Sequence, residues 1–253
     1  MVYILIFFTG LIVGSFLNVC IYRIPLKITL LKQSFCPGCK KSVPIWSNIP
    51  LLGFILLKGK CHYCRQKISI QYPLIEIVTA IITLLTFLFV GFNTSFFIYS
   101  IFFYFLIIIS FIDAQTMLIP NILLISMQIF VLVVQIIFPH INGQNALAGM
   151  LVGGGSLYVV RIAGQFIYKK ESMGFGDIKF TAVAGFFLGW ENILLAVYLG
   201  FLSAVAVALL SKMIINKKLT GKIALAPYLS SGIIITIFSG KFLIEWISYY
   251  LLI

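Results

Sequence analysis

Phe96-Phe97-Ile98-Tyr99-Ser100-Ile101-Phe102-Phe103-Tyr104-Phe105-Leu106-Ile107-Ile108-Ile109-Ser110-Phe111-Ile112-Asp113 is a long run without a formal charge that ends on a carboxylate. About 18 to 20 apolar residues cross the hydrocarbon core of a bilayer as a helix, so the stretch reads as a membrane span. Working outward, runs of the same kind cover Val2 to Tyr22, Leu74 to Val90, Ile122 to Phe138 and Ala146 to Tyr168. Three more cover roughly Phe180 to Gly189, Ile193 to Leu210, and Ala226 to the C-terminus. The sixth is short, and the last is broken by Ser239, Gly240 and Lys241. Composition agrees: 62% hydrophobic residues, 9% charged residues and a mean hydropathy of +1.14 exclude an ordinary soluble domain. The expected fold is an all-α polytopic membrane protein of about eight helices, with a small insert between the first and second.

The formal charge of +12 does not by itself point to nucleic acid, because Lys and Arg in a membrane protein gather in cytoplasmic loops and face anionic lipid. With the N-terminus outside, the inner segments hold Arg23, Lys27, Lys32, Lys40, Lys41, Lys58, Lys60, Arg65, Lys67, Lys169, Lys170, Lys179, Lys212, Lys217, Lys218 and Lys222. The outer loops at 91–95, 139–145 and 190–192 hold none. Lys241 is an exception, and Arg161 inside the fifth span is expected to snorkel inward along its apolar stem. The first segment lacks a basic start and an obvious small-x-small cleavage site, so it reads as a retained helix.

Pro25 to Pro73 is the main polar segment, and it carries Cys36-Pro37-Gly38-Cys39 and Cys61-His62-Tyr63-Cys64. Two such pairs deliver four thiolates to one tetrahedral zinc, and a closed four-sulfur site is structural rather than catalytic. Metal ligation also supplies folding energy to an insert too small for its own core. The competing reading is a pair of disulfides, which a reducing cytoplasm disfavours. Cys20 reads as a packing residue, and His62 as a polar residue of the second turn rather than a ligand.

Only six acids occur: Glu76, Asp113, Glu171, Asp177, Glu191 and Glu245. An Asp at the centre of a span costs about 2.5 to 3.5 kcal/mol, so acids at membrane depth call for a function. The third span is read as Phe96 to Ile112, with Asp113 at its inner end; Asp177 falls at the inner start of the sixth in Gly174-Phe175-Gly176-Asp177-Ile178-Lys179. The topology puts both on the inner face. Two adjacent carboxylates share one proton, the ionised member activating water and the protonated one polarising a carbonyl, which is the chemistry of amide hydrolysis. Alone, Asp177 would be an ordinary helix cap. The two glycines before it are expected to allow tight or left-handed backbone and close approach of a substrate strand. Rival readings are a zinc-ribbon scaffold without catalysis and a proton-coupled transporter, although a transporter should place its acids near the midplane. No HExxH motif is present.

Several blocks in order resemble the type IV prepilin peptidases, GxGD membrane aspartyl proteases: Gly14-Ser15-Phe16-Leu17-Asn18-Val19 with Arg23 and Pro25; the two cysteine pairs around Asn48-Ile49-Pro50-Leu51-Leu52 and Lys58-Gly59-Lys60; Tyr72-Pro73-Leu74-Ile75-Glu76; Asp113 with Ile119-Pro120-Asn121; and the Gly174 to Lys179 block. The resemblance implies removal of a basic leader from prepilins or pseudopilins at the inner face of a bacterial cell membrane. In bifunctional members, N-methylation of the new terminus with S-adenosylmethionine follows. It gives Asp113 and Asp177 the catalytic roles, supported by Gly174, Gly176 and Lys179. Glu76 is expected to hold the leader or the amine of the methyl donor, or else to be a capping residue, and Lys179 to tune Asp177 or to snorkel. Two departures stand out. Ile223-Ala224-Leu225-Ala226-Pro227-Tyr228 replaces a PFGP-like segment, and Asn121 replaces an Asp usual in relatives, so neither receives a role. No glycine fingerprint for a nucleotide follows a strand; Gly153-Gly154-Gly155, Gly149-x-x-x-Gly153 and Gly185-x-x-x-Gly189 read as helix packing. The expected organisation is a first helix at 1–24, a zinc-binding insert at 25–73 and a protease core at 74–253.

Overall fold

The computed structural model describes residues 1–169, 173–215 and 223–251, with 241–251 as backbone. Glu171, Lys170, Lys217, Lys218 and Lys222 lie outside the described residues, as do the side chains of Lys241 and Glu245. The described elements are helical: α1 (Val2–Arg23), a 3-10 turn (Ile45–Asn48), α2 (Leu52–Leu56), α3 (Gln71–Val90), α4 (Thr94–Thr116), α5 (Asn121–Ile137), α6 (Gly143–Tyr168), α7 (Phe175–Leu188), α8 (Trp190–Ile215) and α9 (Ala226–Leu251). Among the described residues, α1, α3, α4, α6 and α8 are long and apolar enough to cross a membrane, and shorter apolar helices run over Asn121–Ile137 and Ala226–Gly240.

Two boundaries differ from the sequence reading. Helix α4 does not stop at Ile112 but continues to Thr116, so Asp113 sits inside its last turn. Helix α9 runs through Ser239, Gly240 and Lys241 without a break. A glycine inside a helix costs only about 0.5 to 1 kcal/mol relative to alanine, too little to end an apolar helix of this length.

The chain divides into two compact units, Met1–Ile108 and Ile109–Ile253. In the first, α1 lies against α3 with two glycines, Gly10 and Gly14, at the contact. A methyl group added at Gly10 would stand 2.6 Å from the Ala80 Cα, and one at Gly14 would stand 2.7 Å from the Glu76 Cα. The two backbones touch, as small residues permit between helices in lipid. Asn18 adds a polar stitch, its side-chain amide donating to the Tyr72 carbonyl at 3.0 Å. Arg23, at the end of α1, is buried and turns back on the chain, donating to the carbonyls of Thr29, Leu30, Lys32 and Gln33. It therefore fixes the path by which the chain leaves the helix and enters the insert.

In the second unit α7 packs against α5, α6, α8 and α9. Phe180, Thr181 and Val183 to Leu188 are all buried. This explains how so short a helix serves: its neighbours, more than lipid, are its environment. Its contact with α6 is again made by glycine. A methyl on Gly149 would run into the Gly185 carbonyl oxygen, one on Gly185 into the Gly149 carbonyl oxygen, and one on Gly153 into the Thr181 carbonyl. Gly155, by contrast, faces open space. Gly149→Ala is expected to destabilise the protein by about 1 to 3 kcal/mol through overpacking. Gly155→Ala should be neutral or slightly stabilising through helix propensity. Thermal unfolding of both variants in one detergent checks the contrast.

Candidate active site and metal centre

The insert repeats one turn twice. Cys36 N–H donates to the Lys41 carbonyl at 3.0 Å and Lys40 N–H to the Cys36 carbonyl at 2.8 Å; Cys61 N–H donates to Gln66 at 2.8 Å and Arg65 N–H to Cys61 at 3.1 Å. Lys40 and Arg65 occupy equivalent left-handed positions, with φ of 57° and 59°. Each turn is flanked by a single antiparallel bridge, Phe35 with Ser42 and Lys60 with Lys67.

The outcome is a cluster of four free thiols, Cys36, Cys39, Cys61 and Cys64, whose sulfurs all lie within 4.8 Å of one another. The Cys36 and Cys64 sulfurs are 3.8 Å apart. Four sulfurs at about 2.3 Å from a tetrahedral centre stand about 3.8 Å from each other, so the spacing fits zinc. The thiols are also polarised unequally. Backbone N–H groups of Cys64 and Tyr63 draw Cys61 down to about 6. Cys64, although the Gln66 N–H pulls the other way, is pushed up to about 11 by burial and by the three neighbouring thiols. Such a cluster holds a proton until a cation displaces it. His62 is not part of the group; its ring packs edge-on against Tyr63. Cys20 is buried in α1, apart from the cluster.

The carboxylates come together in the second unit. Asp113 is 5% exposed, and one of its oxygens accepts the Ala226 N–H at 3.0 Å. Asp177 stands in the first turn of α7, where the N–H groups of Gly174 and of Asp177 itself lie against its carboxylate, and the charges of Asp177 and Asp113 act on each other. A helix start favours a negative charge there, since its first N–H groups have no partners within the helix. Asp177 Oδ1 is buried and has no hydrogen-bond partner among the described residues. One side of this carboxylate is thus held by backbone, and the other meets no hydrogen-bond donor among the described residues.

The glycines of the block act differently from the sequence expectation. Gly174, the N-cap of α7, has an ordinary φ of −73°, and Gly176 is helical; neither is left-handed. Gly176 is needed because the Ile119 side chain lies on it: an added methyl would stand 3.1 Å from the Ile119 Cβ. Lys179 directs its ammonium to Asn121 Oδ1 at 3.3 Å, and no bond from it to Asp177 occurs among the described residues. The 119–121 segment therefore seats the start of α7 through both Ile119 and Asn121.

Two contributors escaped the sequence reading. The Ile223 to Tyr228 segment, set aside because it departs from the usual pattern, opens α9 and supplies the Ala226 N–H to Asp113. A backbone donor carries no residue signature, so nothing in the sequence marked it. Arg161 does not snorkel along lipid. It is 7% exposed, donates to the Met173 carbonyl at 3.0 Å, and lies with its guanidinium 3.7 Å from the centroid of the Phe175 ring. It thereby holds both ends of the turn that leads into Asp177. Glu76, in the first unit, is buried and accepts the Leu51 N–H at 2.8 Å.

Residues 8–90 match the model of the bacterial peptidase A24 N-terminal domain, and residues 100–209 match that of the type IV leader peptidase family. Three relatives carry the name prepilin leader peptidase/N-methyltransferase. The Pectobacterium carotovorum subsp. carotovorum protein is 30% identical over 88% of this chain and 88% of its own length. The Klebsiella pneumoniae protein is 34% identical over 74% and 85%, and the Neisseria gonorrhoeae protein 32% identical over 80% and 80%. No solved structure matches the chain. The cysteine cluster and Glu76 fall within the first matched region and both aspartates within the second, so this chain belongs to the type IV leader peptidase family.

Proposed function

We propose that the protein is a bacterial membrane prepilin peptidase that removes the basic leader of prepilins or pseudopilins by aspartyl catalysis, with Asp113 and Asp177 as the catalytic pair. The observation that carries the assignment of the pair is the buried Asp177 oxygen that has no hydrogen-bond partner among the described residues, on a carboxylate that feels the charge of Asp113. The ionised member takes a proton from water as the water oxygen bonds to the scissile carbonyl carbon. The protonated member gives its proton to the carbonyl oxygen. Collapse of the diol then breaks the C–N bond: one of its hydroxyls returns a proton to the ionised member as the carbonyl re-forms, the departing nitrogen takes a proton from the other member, and the pair is left with its single shared proton. The Ala226 N–H and the N–H groups at the start of α7 hold the carboxylates in place, and Arg161 acts as a positioning residue by holding the turn.

The same reading places the N-terminus outside and the active site at the cytoplasmic face, because the basic residues gather on that side. It divides the chain into a first helix at 1–24, an insert at 25–73 stapled by structural zinc on Cys36, Cys39, Cys61 and Cys64, and a protease core at 74–253. The relatives' name adds N-methylation of the new terminus with S-adenosylmethionine, in which the terminal amine forms a C–N bond as the methyl leaves sulfur.

Cleavage of a prepilin by native enzyme in liposomes is expected to be lost by a factor of about 10² to 10⁴ in Asp113→Asn and in Asp177→Asn, each still folded and metal-loaded. A variant that cuts at the native rate would transfer support to the scaffold or transporter readings. Elemental analysis is expected to find one zinc per native chain and none in Cys61→Ser. A strong chelator should expose the insert to limited proteolysis while a similarly treated Cys20→Ser protein behaves as native. Arg161→Ala removes a charge-assisted hydrogen bond and a cation–π contact, each worth about 1 to 3 kcal/mol. Its kcat should fall roughly 10- to 100-fold with KM nearly unchanged, and Arg161→Lys should recover part of the loss. Steady-state kinetics separates this from a mere loss of stability.

A further inference from the structure

Helix α2 is short, and its two sides meet different surroundings. Gly53 is buried against the 3-10 turn, where an added methyl would run into the Ser47 carbonyl oxygen, and Phe54 and Leu57 line a cavity beside Glu76. Leu52, Ile55 and Leu56 are three and four residues apart, so they share the other side of the helix. They are 51%, 64% and 66% exposed. Contiguous apolar side chains of this kind mark a contact surface.

The depth at which they stand indicates what covers them. The Leu51 N–H donates to Glu76 at 2.8 Å, and Glu76 follows Gln71, the first residue of α3, by five residues. At about 1.5 Å per residue, Glu76 lies about 7.5 Å inside that span. Helix α3 is 20 residues long, which matches a hydrocarbon core of about 30 Å. The start of α2 is therefore level with the edge of the apolar layer rather than below it in water. Leu74 and Ile77, on α3 beside this level, are exposed as well.

Charge then selects the lipid. Between Ile24 and Ile75 the chain holds seven lysines, one arginine and no acid. Two of the lysines, Lys58 and Lys60, are exposed and follow α2 directly, where the chain reverses through positive φ at Lys58 and Gly59. An apolar face flanked by lysines binds an anionic bilayer surface, since apolar burial and attraction to lipid phosphates add.

We propose that α2 is an interfacial anchor for anionic lipid. Leu52, Ile55 and Leu56 enter the boundary between headgroups and acyl chains, and Lys58 and Lys60 meet the lipid phosphates. The insert is then seated on the bilayer rather than suspended in water between α1 and α3, and the bond from Leu51 to Glu76 sets the depth of its anchor.

The test uses trypsin, which cuts after Lys58 and Lys60, on the full-length protein in nanodiscs. One set of discs is phosphatidylcholine alone, and the other is phosphatidylcholine and phosphatidylglycerol in equal parts; cut sites are read by mass spectrometry. Both faces of a disc carry the same lipid, so the orientation of the chain does not enter. Cutting after Lys58 and Lys60 is expected to be at least about tenfold slower in the anionic discs, because cleavage tracks the population in which the segment is free. Leu56→Asp should lose that protection with metal content and thermal unfolding unchanged. Comparison of native and variant in one kind of disc removes any effect of lipid on trypsin itself. Equal native rates in the two kinds of disc overturn the proposal; if both are slow, and slow in detergent too, protein covers α2, a second copy of the chain included. Equal rates for native and Leu56→Asp in anionic discs also overturn it, since the lysines alone would then account for the protection. If Leu56→Asp loses its metal, Ile55→Ser, on the same face, takes its place and must speed cutting in the same sense.

Discussion

Direct contact between the backbones of α6 and α7 is the constraint on which the position of Asp177 depends. Gly149 and Gly185 lie against each other's carbonyls and Gly153 against that of Thr181, so the two helices have no room to slide or rotate independently. Lipid supplies little hydrophobic drive for helices to associate, and close packing of small residues does the work instead. Once α7 is fixed on α6, the position of Asp177 in its first turn is fixed as well. Helix α6 also supplies Arg161, so the same element that packs the helix ties down the turn leading into it.

The carboxylates illustrate how acids are kept at the edge of a membrane. Each is met by main-chain N–H groups rather than by a lysine: Asp113 by Ala226, and Asp177 by the start of its own helix. A backbone donor is rigid and cannot titrate, so it orients a carboxylate without fixing its protonation state. An adjacent lysine would hold the group ionised, and a shared proton would be lost. Lys179, the one cation in the motif, is directed to Asn121 instead. Asn121 serves as the acceptor for that lysine.

The insert follows another economy. Among the described residues of its short turns the buried hydrophobic side chains are those of Cys36 and Cys61, and two copies of one hydrogen-bonded loop bring four sulfurs to tetrahedral spacing. Its attachment to α1 and α3 depends on two buried charged residues, Arg23 holding the segment as it leaves α1 and Glu76 of α3 holding Leu51. Leu51 has a φ of 59°, a conformation that a residue with a side chain adopts only when its surroundings hold it there. The Glu76 bond to its N–H is one such restraint.

The sequence by itself determined the helical class, the approximate bounds of the spans, the four cysteines and the two aspartates. Each is carried by residue type and local spacing: apolar length sets a span, CxxC sets a knuckle, and an acid beside an apolar run has few reasons to exist. Only the tertiary structure decided what those residues touch. It converted Arg161 from a snorkelling charge into a clamp, brought the Ala226 N–H at the start of α9 to Asp113, made Gly176 a seat for Ile119, and opened a cavity beside Glu76. These contacts join residues far apart along the chain, several of them through backbone atoms common to all residues. Sequence pattern carries no record of such partners; the packing of one helix on another creates them.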